Sequence, residues 1–186
     1  MDFKKYLGKV TSRGRACPNE NHMRKMIWTL AGYNEKVSPH EAFVLLYNRT
    51  FKDHWTIALK TLYLIHRCID SIDEDLNAKL SNIRSTNVKL NSGRSTVHEP
   101  LIREYLVYIR MSSSNYARRD AFIRAKDRDD VINRYSVIEL LSEVNILTLQ
   151  LVELENLARI CVDAINISQQ SLAKLVFSFI LSLIHI

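Results

Sequence analysis

Asp53-His54-Trp55-Thr56-Ile57-Ala58-Leu59-Lys60-Thr61-Leu62-Tyr63-Leu64-Ile65-His66-Arg67-Cys68-Ile69-Asp70-Ser71-Ile72 is the stretch that sets the fold class. Its apolar residues Trp55, Ile57, Ala58, Leu59, Leu62, Tyr63, Leu64, Ile65 and Ile69 cover most of a helix circumference, which predicts a central helix packed on more than one side. His66 inside it reads as a hydrogen-bonded core histidine. The acidic group Asp70, Asp73, Glu74 and Asp75 then falls at a helix junction, where carboxylates complement the positive end of the next helix rather than hold a metal.

Working outward, the pattern stays helical. Toward the carboxyl end it predicts a short helix over 73–83, a polar exposed loop over 85–95, and an amphipathic helix after Pro100 carrying Leu101, Ile102, Tyr105, Leu106, Tyr108 and Ile109. After the charged segment 118–134, Leu140, Val144, Leu147, Leu151, Leu154, Ala158, Cys161 and Ile165 alternate steps of four and three. Such a seam suits a long bundle helix packed on its neighbours better than a dimeric coiled coil. Toward the amino end, Phe3, Tyr6, Leu7 and Val10 form a short amphipathic segment, and Gly14 and Pro18 mark a loop. Met23, Met26, Ile27 and Leu30 recur at helical spacing up to a stop at Gly32. Ser38-Pro39-His40-Glu41 has the form of a cap opening a helix through Tyr47.

Composition agrees with an all-α domain. Four glycines and three prolines in 186 residues leave little material for turns, and 47% hydrophobic with 25% charged residues argues against disorder. The net charge of +6 is local: residues 1–36 hold eight lysines and arginines against three carboxylates, and the remainder is close to balanced. Three widely separated cysteines form no C-x-x-C pair, which argues against a disulfide framework or a zinc module and fits a reducing, cytoplasmic setting. The start of the chain is polar, and the apolar run 172–186 is short for a membrane span and contains Lys174.

Catalytic patterns do not emerge. The six histidines never pair as H-E-x-x-H, and there is no glycine-rich phosphate loop, G-x-S-x-G turn or metal-ligand spacing, so neither an enzyme nor a bound cofactor or metal is expected. The basic residues are not interleaved with aromatics, which disfavours a nucleic-acid partner. Instead Leu7 to His22 places a basic cluster where a helix begins. Pro18 suits a first helical turn, whose early N–H groups point outward, so Lys9, Arg13, Arg15 and His22 are expected to gather around an anion such as a phosphate.

Lys9-Val10-Thr11-Ser12, followed by Pro18 and His22 and then by the helix carrying Trp55, Lys60, Leu62 and His66, resembles the ANTH domain of clathrin-assembly adaptors. That family's pattern is K-A-[ST], then a proline, two lysines and a histidine, and later W-x-x-x-x-K-x-L-x-x-x-H. Ser92-Gly93 and the tyrosine-bearing segment Ile102 to Ile109 extend the similarity over most of the chain. The resemblance implies a right-handed superhelical stack of amphipathic helices, ENTH/VHS-like, on the cytosolic side of the plasma membrane in clathrin-coated pits and vesicles. It implies a peripheral, non-enzymatic adaptor that binds phosphatidylinositol 4,5-bisphosphate, recruits clathrin through a tail absent here, and in some members gathers SNARE cargo.

Carried over by position, Lys9 is the motif's first lysine, Thr11 its Ser/Thr, Pro18 its proline and His22 its histidine. Asn19 and Asn21 stand where the family commonly places lysines; their amides donate hydrogen bonds but carry no charge, leaving Arg13 and Arg15 in the loop, and Arg24 and Lys25 one turn into the helix, as compensating cations. Residues 1–180 are expected to be an ANTH-like domain incomplete at its carboxyl end, and 181–186 translated read-through of a sequencing adaptor. The alternative is a helical scaffold whose 140–165 seam binds a partner helix while the basic end is merely solvated.

Overall fold

The computed structural model describes residues 2–14, 16–50, 54–83, 98–115 and 135–168. Among these there are seven helices and no strand: α1 (Phe3–Val10), α2 (Glu20–Leu30), α3 (Pro39–Thr50), α4 (Trp55–Cys68), α5 (Glu74–Ser81), α6 (Glu99–Ser114) and α7 (Val137–Ser168). The expected polar loop 85–95, the charged segment 118–134 and residues 181–186 lie outside the described residues.

Local chemistry accounts for the helix ends. The Asp2, Asn19 and Asp73 side chains accept hydrogen bonds from the N–H groups of Lys5, His22 and Leu76, satisfying first-turn donors of α1, α2 and α5. Ser38 does the same for Glu41 in α3, as its cap signature predicts. A full capping box opens α7: Ser136 N–H and Oγ donate to the Glu139 carboxylate while Glu139 N–H donates to Ser136 Oγ. Pro18 sits just ahead of the α2 cap rather than within the first turn, because Asn19 takes the capping position. At the other end of α2, Gly32 adopts φ +88°, a backbone conformation that glycine tolerates best.

Successive helices pack on one another from α1 to α4 and from α5 to α7, and α1 also reaches α3, α2 reaches α4, and α4 reaches α6. α4 is the centre of this stack. Every one of its residues except Arg67 is buried, as the all-round apolar pattern predicts. Leu62 and Leu64 are wholly buried, and truncating such a leucine to alanine costs about 2–5 kcal/mol. Two polar groups inside the helix find partners: Thr61 Oγ1 donates to Ile57 O at 2.7 Å, and His66 Nδ1 lies 3.0 Å from the Tyr105 hydroxyl of α6. His66 is therefore the core histidine expected.

The long helix departs from expectation. α7 docks on α6 through buried Leu157, half-buried Leu154 and Ile160, and a contact between Gln150 and Asn115, whereas Val144, Leu147 and Leu151 of the anticipated seam face solvent. The regular seam is thus only partly the packed face; α6 supplies one neighbouring surface, and the row preceding Leu154 extends past it. No helix among the described residues is long and apolar enough to cross a membrane.

Candidate functional site

The basic amino-terminal region folds around one aromatic ring and one pinned loop. Tyr6 of α1 is half-buried. Lys9, one turn further along α1, places its ammonium 5.9 Å from the Tyr6 ring centre, and Lys25 of α2 places its own 5.1 Å away. The His22 ring meets the same tyrosine edge-on at 5.1 Å. Tyr6 thus collects two ammonium groups and an imidazole, the ring face offsetting part of their mutual repulsion. All three lie at the junction of α1 with the amino-terminal half of α2, where an anion also meets the positive end of the helix dipole.

A carboxylate at that helix end would repel an anion, and the fold draws it away. Glu20 pairs with Arg67 of α4 at 3.1 Å and with Arg24 at 3.7 Å. Arg24 is therefore committed to Glu20, while Lys25, the next residue, turns to Tyr6.

In the loop after α1, the carbonyls of residues 11–14 are all held by side chains of α3 and α4. Arg49 of α3 donates to Thr11 Oγ1 at 2.5 Å and to Thr11 O at 3.3 Å. Thr56 Oγ1 donates to Arg13 O at 3.1 Å, and Lys60 Nζ donates to Ser12 O at 3.2 Å and Gly14 O at 2.6 Å. Lys60 is 1% exposed. Burial pushes its ammonium below the ordinary 10.5, with Cys17 acting in the opposite direction. Fastened by its carbonyls, the loop leaves Ser12 and Arg13 exposed.

The sequence-predicted residues divide accordingly. Lys9 and His22 come together. Thr11 does not present its hydroxyl to solvent: it is 0% exposed and donates to Leu7 O at 2.6 Å while accepting from Arg49. The hydroxyl is turned into the fold because the end of α1 packs against α3. Asn19 spends its side-chain oxygen on capping α2. Asn21 is exposed. Arg13 stands by His54 at the start of α4, whose imidazole is held below its ordinary value first by burial and then by the Arg13 charge. Arg15 lies outside the described residues.

Sequence reasoning missed Tyr6, Arg49 and Thr56 as parts of this arrangement, and weighed Lys25 only as a compensating charge one turn into α2. Tyr6 carried a usable signal, since it precedes Lys9 by three residues and so shares its helix face. Arg49 and Thr56 carried none, being far along the chain from what they hold.

Compared with known families, residues 2–176 match the model of the ANTH domain. The chain belongs to the ANTH-domain family. Among solved structures, it resembles one described as "Structure of the endocytic adaptor complex AENTH", with a TM-score of 0.69 and 18% identity over 99% of this chain and 81% of that one. At that identity the likeness concerns the fold: this ANTH domain is an all-α helical solenoid, in keeping with the neighbour-by-neighbour packing described above. Comparison with curated proteins gives no match.

Proposed function

We propose that this ANTH domain is a non-enzymatic, peripheral membrane module of an endocytic adaptor that holds the headgroup of phosphatidylinositol 4,5-bisphosphate and links the membrane to clathrin coat assembly. The observation that carries the reading is the gathering of Lys9, Lys25 and His22 around Tyr6, together with the loop after α1 fastened by Arg49, Thr56 and Lys60. Membership of the family and the likeness in fold to a chain of an endocytic adaptor complex support the same role. In this proposal Lys25 supplies charge that Asn19 and Asn21 lack, with Arg13 and Arg15 adding to the surrounding field. Thr11 orients the loop. Placement at the plasma membrane in coated pits, and capture of SNARE cargo, belong to the same proposal.

Sedimentation with vesicles tests it, comparing membranes with and without phosphatidylinositol 4,5-bisphosphate at matched total charge. If each charge at the surface contributes about 1 kcal/mol, Lys9→Glu and Lys25→Glu each weaken binding by roughly thirtyfold. Equal binding to both vesicle types overturns the proposed headgroup specificity.

One observation favours a second reading, a helical scaffold: the solvent-facing row of Val144, Leu147 and Leu151 on α7. Light scattering separates the two, since a self-paired seam gives a dimer and a strict monomer counts against it.

A further inference from the structure

Two aromatic side chains stand in water at the carboxyl end of the helix that carries Lys25, Trp28 in its last turn and Tyr33 in the turn that follows. Trp28 is 67% exposed and Tyr33 is 79% exposed, and their rings meet edge-to-face with centres 6.5 Å apart. The backbone brings them together. Tyr33 N–H donates to Trp28 O at 3.0 Å and Gly32 N–H donates to Thr29 O at 3.1 Å, the paired closure that ends a helix when the residue after its cap turns left-handed. Such an ending ordinarily adds an apolar contact between the residues at positions 28 and 33, for which two aliphatic side chains suffice. It does not explain why the contact consists of a tryptophan and a tyrosine left largely in solvent.

Position supplies the reason. Asn21, Lys25 and Trp28 follow one another at i, i+4 and i+7, so they form one exposed stripe along α2, with Lys25 at the cationic cluster and Trp28 one turn beyond it. The 11 residues of α2 span only about 16 Å, so a helix lying along a flat anionic surface brings the cluster and the aromatic pair to it together. Tryptophan and tyrosine favour the boundary between headgroups and acyl chains, where the ring is buried and its polar edge stays hydrated.

We propose that Trp28 and Tyr33 are an interfacial anchor that enters the lipid surface while the cluster around Tyr6 grips an anionic headgroup. The inference rests on the membrane-binding reading above and adds a hydrophobic contact to it. Because a headgroup in solution engages only the charged part, the anchor distinguishes a bilayer from a soluble inositol phosphate.

The test uses the chain's own fluorescence. Its two tryptophans are Trp28 and the buried Trp55, so a change in emission on vesicle binding that is lost in Trp28→Phe reports Trp28 alone. Vesicles of phosphatidylcholine with phosphatidylinositol 4,5-bisphosphate, carrying bromine on the acyl chains, are expected to quench Trp28. The double variant Trp28→Ala/Tyr33→Ala is expected to bind about tenfold more weakly with a melting temperature lowered by only a few degrees. Vesicle binding with unquenched Trp28 and full affinity of the double variant overturns the anchor and leaves the headgroup reading standing. Quenching that persists in Lys9→Glu on vesicles lacking the phosphoinositide upholds the anchor and removes the headgroup reading. Absence of binding to every vesicle overturns both.

Discussion

Replacing Lys60 with methionine removes an ammonium from the core while keeping a side chain of similar length. Two carbonyls lose their donor, Ser12 O at 3.2 Å and Gly14 O at 2.6 Å. Hydrogen bonds from a charged donor contribute about 1.5–3 kcal/mol each, so at the lower figure the loop is locally destabilised by about 3 kcal/mol, or roughly a hundredfold in its open population. Global stability changes far less, by about 1 kcal/mol, because the buried methionine gains roughly 2 kcal/mol of apolar burial that local opening retains and only global unfolding gives up. Trypsin reads the open population when reclosing is faster than cutting, so cleavage after Arg13 is expected to accelerate by about a hundredfold while the urea midpoint moves little. Unchanged cleavage after Arg13 refutes the reasoning, since Arg49 and Thr56 would then hold the loop unaided.

The same lysine gives a pH dependence. Its folded-state pKa lies below 10.5, so as pH rises toward 10.5 the unfolded chain retains the proton longer, and wild type gains stability relative to Lys60→Met; urea unfolding across that range measures the difference. Asn21→Lys adds a charge near the cluster at an exposed position and is expected to tighten binding to phosphoinositide vesicles about fivefold without changing the melting temperature. Asn19→Lys adds the same charge but removes the α2 cap, lowering stability by about 1 kcal/mol in denaturant titration. Buried Asn77 donates to Ile69 O at 3.0 Å, Ile72 O at 3.4 Å and Asp73 O at 3.3 Å, closing the turn between α4 and α5. Asn77→Ala is expected to cost about 2–3 kcal/mol, readable as a lowered melting temperature.

The helices were legible to different degrees. α3 begins at Pro39 as the Ser38 signature indicates but runs to Thr50, past Tyr47, because no local stop signal lies there. The acidic residues after Asp70 proved a capping device: Asp73 caps α5, with Glu74 and Asp75 in its first turn. The seam on α7 misled on packing, since a heptad-like row reports apolar spacing and not what lies opposite. Of the candidate residues, Lys9 and His22 share the Tyr6 ring, whereas Thr11 turns inward and Asn19 takes up a cap. Lys60 was visible in the sequence only as a position of the family pattern, and nothing along the chain connects it to Ser12 and Gly14, which lie 48 and 46 positions away.

The sequence by itself determined an all-α stack, the position of its central helix and its family resemblance. Periodicity, caps and the Gly32 stop act within a few residues of themselves. Tertiary structure alone decided which cations share a space. Lys9 and Lys25 reach one tyrosine because α1 packs on α2, and four successive carbonyls are fastened because α3 and α4 pass beneath the loop. Where a side chain points is fixed by its own backbone, but what it meets there depends on helices brought in from far along the chain.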